Sequence, residues 1–156
     1  MNEIDLIHLA RKKGRTIGSC ESLTAGLFCA KLASVPGASQ VLKGGFVTYF
    51  TEIKETVVGV DSQVIHQYGV ISKQCAEEMA IKAKKLLDVD YCVSFTGNAG
   101  PDTMEGKPAG DVFCAISGKE NTISFSFHFK NEERNTLRQH VVDEMISRLA
   151  DIIEKE

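Results

Sequence analysis

The sequence predicts a three-layer α/β/α sandwich around a mixed sheet of about five strands, and three features lead there. Apolar strand-like runs alternate with amphipathic helical segments as far as Phe95, two strand-like runs then follow one another directly, and a long amphipathic helix closes the chain. Alternation gives parallel strands with helices on both faces, whereas two runs joined by a short polar turn give an antiparallel hairpin. With 156 residues, 43% hydrophobic and 25% charged, the chain can fill a single core, and residues 1–156 read as one domain.

Asn2 caps a first helix that runs to about Lys13, with Gly14 just past its end. "RTIGSC" (15–20) reads as a buried strand and "LTAGLFCAKLASV" (23–35) as a helix stopped at Pro36 and Gly37. "GGFVTYF" (44–50) is the next strand, followed by a short helical piece from Glu52 to about Val58 that Gly59 ends. "SQVIHQYG" is another short helix with its stop at Gly69. Ser72 caps "KQCAEEMAIKAKKLLD", whose apolar face carries Cys75, Met79, Ala83 and Leu86 or Leu87. "DYCVSF" (90–95), uncharged after its first residue, reads as a central strand buried on both faces. "DVFCAIS" (111–117) and "TISFSFHF" (122–129), joined by "GKEN", make the hairpin. Asn131, with Glu132 and Glu133 behind it, opens the last helix, striped by Leu137, Val141, Met145, Leu149 and Ile152.

Composition narrows the function classes. Net charge is −3 and the basic residues form no run, so neither nucleic acid nor an anionic membrane is an expected partner. The amino terminus has no signal-peptide pattern and no window reaches spanning length, which points to a cytoplasmic protein. Five cysteines without CxxC spacing argue against a disulfide framework and a zinc site, and no metal or cofactor is implied. Four of the cysteines read as small buried hydrophobes; Cys20 stands apart because it lies in "GSCESLTAG" (18–26), a stretch dense in hydroxyls.

Open α/β sheets bind ligands at the carboxyl ends of their strands, and "CESLTAG", "TYFTEIK" and "TGNAGPD" each follow a strand-like run. A helix starting near Leu23 places the Ser22 hydroxyl at its positive end, either as an ordinary N-cap or as a nucleophile beside amides that hold an oxyanion. Thr24 can share the capping, Gly26 allows close approach of a ligand, and Glu21 is either a hydrogen-bonding pocket residue or a solvated charge. None of the four histidines has the context of a catalytic base, which leaves lysine.

Lys54 falls in the first turn of the short helix if Thr51 caps it, where the dipole mildly favours the neutral amine. That effect is worth about 0.3–1 kcal/mol, whereas bringing a lysine from about 10.4 to about 7–8 takes roughly 3–4 kcal/mol. Desolvation or a second cation must supply the rest, and the alternative is a surface lysine between Glu52 and Glu55. Tyr49 either orients Lys54 and relays a proton to Ser22 or is an interior aromatic. In the loop 96–110, the amides around Gly97 and Gly100 can wrap a phosphate or ribose, or the loop is a plain connection. Arg134 and Arg138, four apart, can grip one phosphate together, or both are solvated.

Taken together, "ESLTAG" (21–26), "GGFVTYFTEIK" with "VGV" (44–60), "YGVIS" (68–72), "TGNAGP" (96–101), "KPAGDVF" (107–113) and "ERNTLR" (133–138) resemble the CinA carboxy-terminal family. The resemblance covers nearly the whole chain. It implies the three-layer fold, homo-oligomers, and an amidohydrolase that converts the small-molecule pyridine nucleotide nicotinamide mononucleotide to nicotinic acid mononucleotide and ammonia. It also implies a serine–lysine mechanism with Ser22 as nucleophile, Lys54 as base and Tyr49 beside them, Thr96 near the substrate, and Arg134 and Arg138 on phosphate or ribose. The family usually writes "ESCTGG", where this chain has Leu23 and Ala25, and Asn98 stands where a small apolar residue is more usual. Two other classes stay open: a nucleotide-binding or regulatory module without turnover, and a thiol enzyme using Cys20.

Overall fold

The computed structural model describes residues 1–156. Helix α1 (Glu3–Lys13) begins where the Asn2 side chain accepts the Ile4 and Asp5 N–H groups while Asp5 accepts that of Asn2, and ends at Gly14 in the left-handed conformation. Strand β1 (Ile17–Glu21) is buried throughout, and α2 (Leu27–Ala33) and a single 3-10 turn (Ala38–Gln40) lead to β2 (Leu42–Val47). A one-turn α3 (Thr51–Ile53) passes directly into a π turn over Lys54–Val58. Then come α4 (Ser62–Tyr68), α5 (Lys73–Leu87), β3 (Tyr91–Gly97), β4 (Asp111–Ser117), β5 (Thr122–His128) and α6 (Arg134–Glu154).

The sheet order is β2-β1-β3-β4-β5; β1 runs parallel to both neighbours, and β3, β4 and β5 are antiparallel in turn. This is the predicted mixed five-stranded sheet. Side chains of period two divide each central strand between two cores. Ile17, Val93 and Phe95 pack against α1, α2 and α6, whereas Cys20 and Cys92 meet Cys75, Met79 and Ala83 of α5. The Phe28 and Phe95 rings, 5.5 Å apart, join α2 to β3; burying each contributes about 1.5–3 kcal/mol. No helix is long and apolar enough to cross a membrane.

Strand β2 covers Leu42–Val47 rather than 44–50, and three helix starts also differ from expectation, each for a backbone or capping reason. Helix α2 starts at Leu27 rather than Leu23, because Ala25 and Gly26 have φ of 47° and 96°, outside the right-handed helical region. Helix α6 starts at Arg134 rather than Asn131, whose φ of 57° likewise breaks the helical run. The residue that caps α3 is Phe50, with Thr51 already inside the turn.

Candidate active site

Because β1, β2 and β3 are parallel, their carboxyl ends meet on one edge, and the register sets Glu21 opposite both Val47 and Phe95. Ser22 follows Glu21 directly, and its N–H donates to the Phe95 carbonyl at 2.9 Å, while the Thr48 N–H donates to the Glu21 carbonyl at 2.8 Å. The first residues past β1 and β2 are thus held to the neighbouring strand by strand-like hydrogen bonds.

Lys54 reaches this edge from the turn where α3 becomes the π turn, a geometry that recurs at functional sites. Its side chain is 1% exposed, and Nζ donates to the Thr48 carbonyl at 2.7 Å and lies 3.1 Å from Ser22 Oγ. Burial holds the amine below the ordinary lysine value of 10.5, the direction a general base requires. The dipole contribution weighed above is therefore secondary. Desolvation is the leading cause, and no carboxylate forms an ion pair with Nζ.

A cleft opens over the pair in two lobes that share Ser22, Tyr49, Gly97 and Met104. One lobe, of about 320 Å³, adds Phe50, Lys54, Val70, Ile71 and Thr96; the other, of about 210 Å³, adds Leu23, Asn98, Ala99, Asp102 and Arg134. No histidine lines either lobe. No group of three or more His, Cys, Asp or Glu side chains is placed to hold a metal ion.

The other expected site residues divide between cleft and scaffold. Thr96 lines the cleft, yet its hydroxyl donates to the Val70 carbonyl at 2.7 Å and so fastens β3 to the turn before α5. Tyr49 is half exposed, and its hydroxyl accepts from Arg134 at 2.7 Å; it makes no hydrogen bond to Lys54 or Ser22, so the expected relay is not formed. Arg134 also donates to the Gly100 carbonyl at 2.8 Å, which holds the loop of residues 98–110 over one lobe. Arg138 does not join Arg134 at a shared anion site, because its guanidinium donates to the Leu23 and Thr24 carbonyls at 2.8 and 3.1 Å.

Glu21 is neither a pocket residue nor solvated. It is 1% exposed and turns inward to cap α2, accepting the Phe28 and Cys29 N–H groups at 2.9 and 3.2 Å and the Ser19 hydroxyl at 2.9 Å. The strand that delivers the nucleophile is thereby locked to the helix that follows it. Glu21→Ala leaves those buried donors without an acceptor and is expected to lower the unfolding free energy by about 1–3 kcal/mol in urea titrations. Thr24 does not share this work: it is fully buried and its hydroxyl has no partner. Gly26 caps α2 through its backbone alone, with φ of 96°.

Ala25 occupies a conformation that costs a non-glycine residue about 1–2 kcal/mol. Glycine loses about 0.5–1 kcal/mol more on ordering. Ala25→Gly is therefore expected to raise stability by up to about 1.5 kcal/mol, read as a higher urea midpoint.

Sequence reasoning missed two further supports of the cleft. Asn98 is 4% exposed and gives its whole amide to its own loop, donating to the Met104 and Lys107 carbonyls and accepting the Met104 N–H. Glu105 accepts the Val70 and Ile71 N–H groups at 2.8 and 2.9 Å, pinning the loop to the turn before α5. An asparagine where a small apolar residue is more usual was the one signal available, and it did not show the role. Cys20 is fully buried and its thiol is pushed up to about 11, which removes it as a nucleophile.

Comparison with known proteins agrees with the fold first. A CinA superfamily protein from Klebsiella pneumoniae superposes with a TM-score of 0.95 over 99% of this chain and 96% of that one, at 22% identity. A competence/damage inducible protein from Agrobacterium tumefaciens superposes with a TM-score of 0.85 over 93% of each chain, at 28% identity. A competence-damage inducible protein of Limosilactobacillus fermentum is 46% identical over 140 residues, 89% of this chain and 34% of the relative. One of Listeria monocytogenes is 44% identical over 131 residues, 83% of this chain and 32% of the relative. The chain thus spans about a third of the length of the curated relatives it matches. A family model of the CinA C-terminal domain matches residues 2–153, and the chain belongs to that family.

Proposed function

We propose that this chain deamidates nicotinamide mononucleotide, releasing ammonia and nicotinic acid mononucleotide through an acyl-enzyme on Ser22. The observation that carries the reading is the buried Lys54 amine, 3.1 Å from Ser22 Oγ at the floor of the cleft and unpaired with any carboxylate. An amine held below its ordinary pKa can take the hydroxyl proton as Oγ attacks the carboxamide carbon. The tetrahedral intermediate then places its oxyanion against backbone N–H groups of the turn 22–26. Those of Leu23 and Thr24 have no acceptor within the chain. The lysine ammonium returns the proton to the departing nitrogen, and water cleaves the ester with Lys54 again as base.

The two lobes suit the two halves of such a substrate. The lobe with Phe50, Val70 and Ile71 offers apolar surface to a pyridine ring beside Lys54, and the lobe with Arg134 offers a cation to the phosphate. An assay of ammonia release across pyridine nucleotides tests this. Nicotinamide mononucleotide is expected to turn over, and nicotinamide riboside, without the phosphate, to show a raised KM. Binding by calorimetry with no ammonia from any of them would instead favour a nucleotide-binding module.

A further inference from the structure

Arg138 stands outside the cleft, 115 residues from the turn it contacts, and yet it makes two of the hydrogen bonds that shape the segment after the nucleophile. In a trans peptide the carbonyl and the N–H of one unit point in opposite directions. Holding the Leu23 carbonyl against Nε therefore aims the Thr24 N–H away from the guanidinium. Holding the Thr24 carbonyl against Nη2 sets the Ala25 N–H in the same way. That N–H donates to the Ser22 carbonyl at 3.0 Å, and the peptide unit carrying this carbonyl also carries the Leu23 N–H. One planar, bidentate donor thus fixes the peptide unit of the Thr24 N–H directly and that of the Leu23 N–H through Ala25, two of the turn's N–H groups that lack an acceptor. Directly after these two carbonyls comes Ala25, a non-glycine residue in the left-handed region that needs external restraint.

We propose that Arg138 is a positioning residue for an oxyanion site formed by the Leu23 and Thr24 amides, and not a substrate ligand. This rests on the reading of Ser22 as nucleophile. It differs from the sequence expectation, in which Arg138 grips phosphate, in the kinetic constant it affects: a positioning role lowers kcat, whereas a phosphate contact raises KM.

The test compares wild type, Arg138→Lys and Arg138→Ala in two assays: turnover of nicotinamide mononucleotide, and acylation of Ser22 by p-nitrophenyl acetate, which needs the oxyanion site but no phosphate. Arg138→Ala is expected to lower kcat and the acylation rate by about tenfold to a hundredfold, with KM within about twofold, since losing an oxyanion donor outright costs about 10²–10³. Arg138→Lys, which keeps the charge but not the planar fork that fixes both carbonyls, should fall between, and it carries the test if the alanine variant does not fold. Millimolar guanidinium should restore part of the Arg138→Ala rate and leave wild type unchanged. A raised KM with unchanged kcat and acylation overturns the proposal. Loss of Ser22 acylation across the series without nucleotide turnover in wild type would sink the substrate reading and leave the positioning role standing. A wild-type chain that neither releases ammonia nor is acylated at Ser22 overturns both.

Discussion

Ser22→Ala is expected to reduce ammonia release from nicotinamide mononucleotide by a factor on the order of 10⁴–10⁶, the scale seen when a serine hydrolase loses its nucleophile. Neighbouring hydroxyls cannot substitute. The Thr96 hydroxyl donates to the Val70 carbonyl, and the Thr48 hydroxyl faces Cys20, 3.5 Å from its sulfur. The fold should be unaffected, because the bond that fixes residue 22 runs from its backbone N–H to Phe95 and survives the change. A stability change within about 1 kcal/mol is expected. Binding of the nucleotide, measured by calorimetry on the inactive variant, should persist, since Arg134 and the apolar lobe remain. Near wild-type turnover would place the nucleophile elsewhere.

Lys54→Met is expected to cost a comparable factor in rate, while its stability relative to wild type should depend on pH, the lost bond to the Thr48 carbonyl setting a constant cost of about 1–3 kcal/mol against the relief of a buried charge. Methionine fills similar space without a charge to bury, and a buried ammonium lacking a carboxylate partner is a burden on the folded state. The sign follows from the lowered pKa. Below the folded-state pKa both the folded and unfolded chains hold the proton, and the penalty for burying charge is fully present. Between that pKa and the ordinary 10.5, the unfolded chain binds more protons, so wild-type stability attributable to this group rises with pH. The stability advantage of Lys54→Met should therefore be greatest below the folded-state pKa and shrink toward pH 10.5. Lys54→Arg should be inactive across the range, because a guanidinium does not give up its proton.

Much of this was legible in the sequence wherever the determinant was local. Asn2, Ser72, Gly14 and Gly69 mark helix ends through their own backbone or side chain, and the alternating phenylalanines of β5 declare its register. Ser22 and Lys54 stood out because each follows a strand at the edge where parallel sheets place ligands. Their separation of 3.1 Å was not legible, since it depends on the pairing of β1 with β2 and on the π turn after α3. What the sequence hid were contacts between distant groups. Glu21 caps a helix that begins six residues later because the left-handed pair Ala25 and Gly26 folds the chain back. Arg138 holds the turn after the nucleophile from the far end of the chain. Glu105, inside the glycine-rich loop, caps amides of the 68–72 turn instead of facing solvent.

The central claim is that an uncharged lysine at position 54 withdraws the proton from the hydroxyl at position 22. Its most direct test is the pH dependence of Ser22 acylation by p-nitrophenyl acetate, followed by mass spectrometry of the peptide containing Ser22, in wild type and Lys54→Met. In wild type the rate should climb with pH and level off at a midpoint below 10.5, and in Lys54→Met that climb should vanish along with most of the rate. The same rate and the same profile in both proteins would contradict the account.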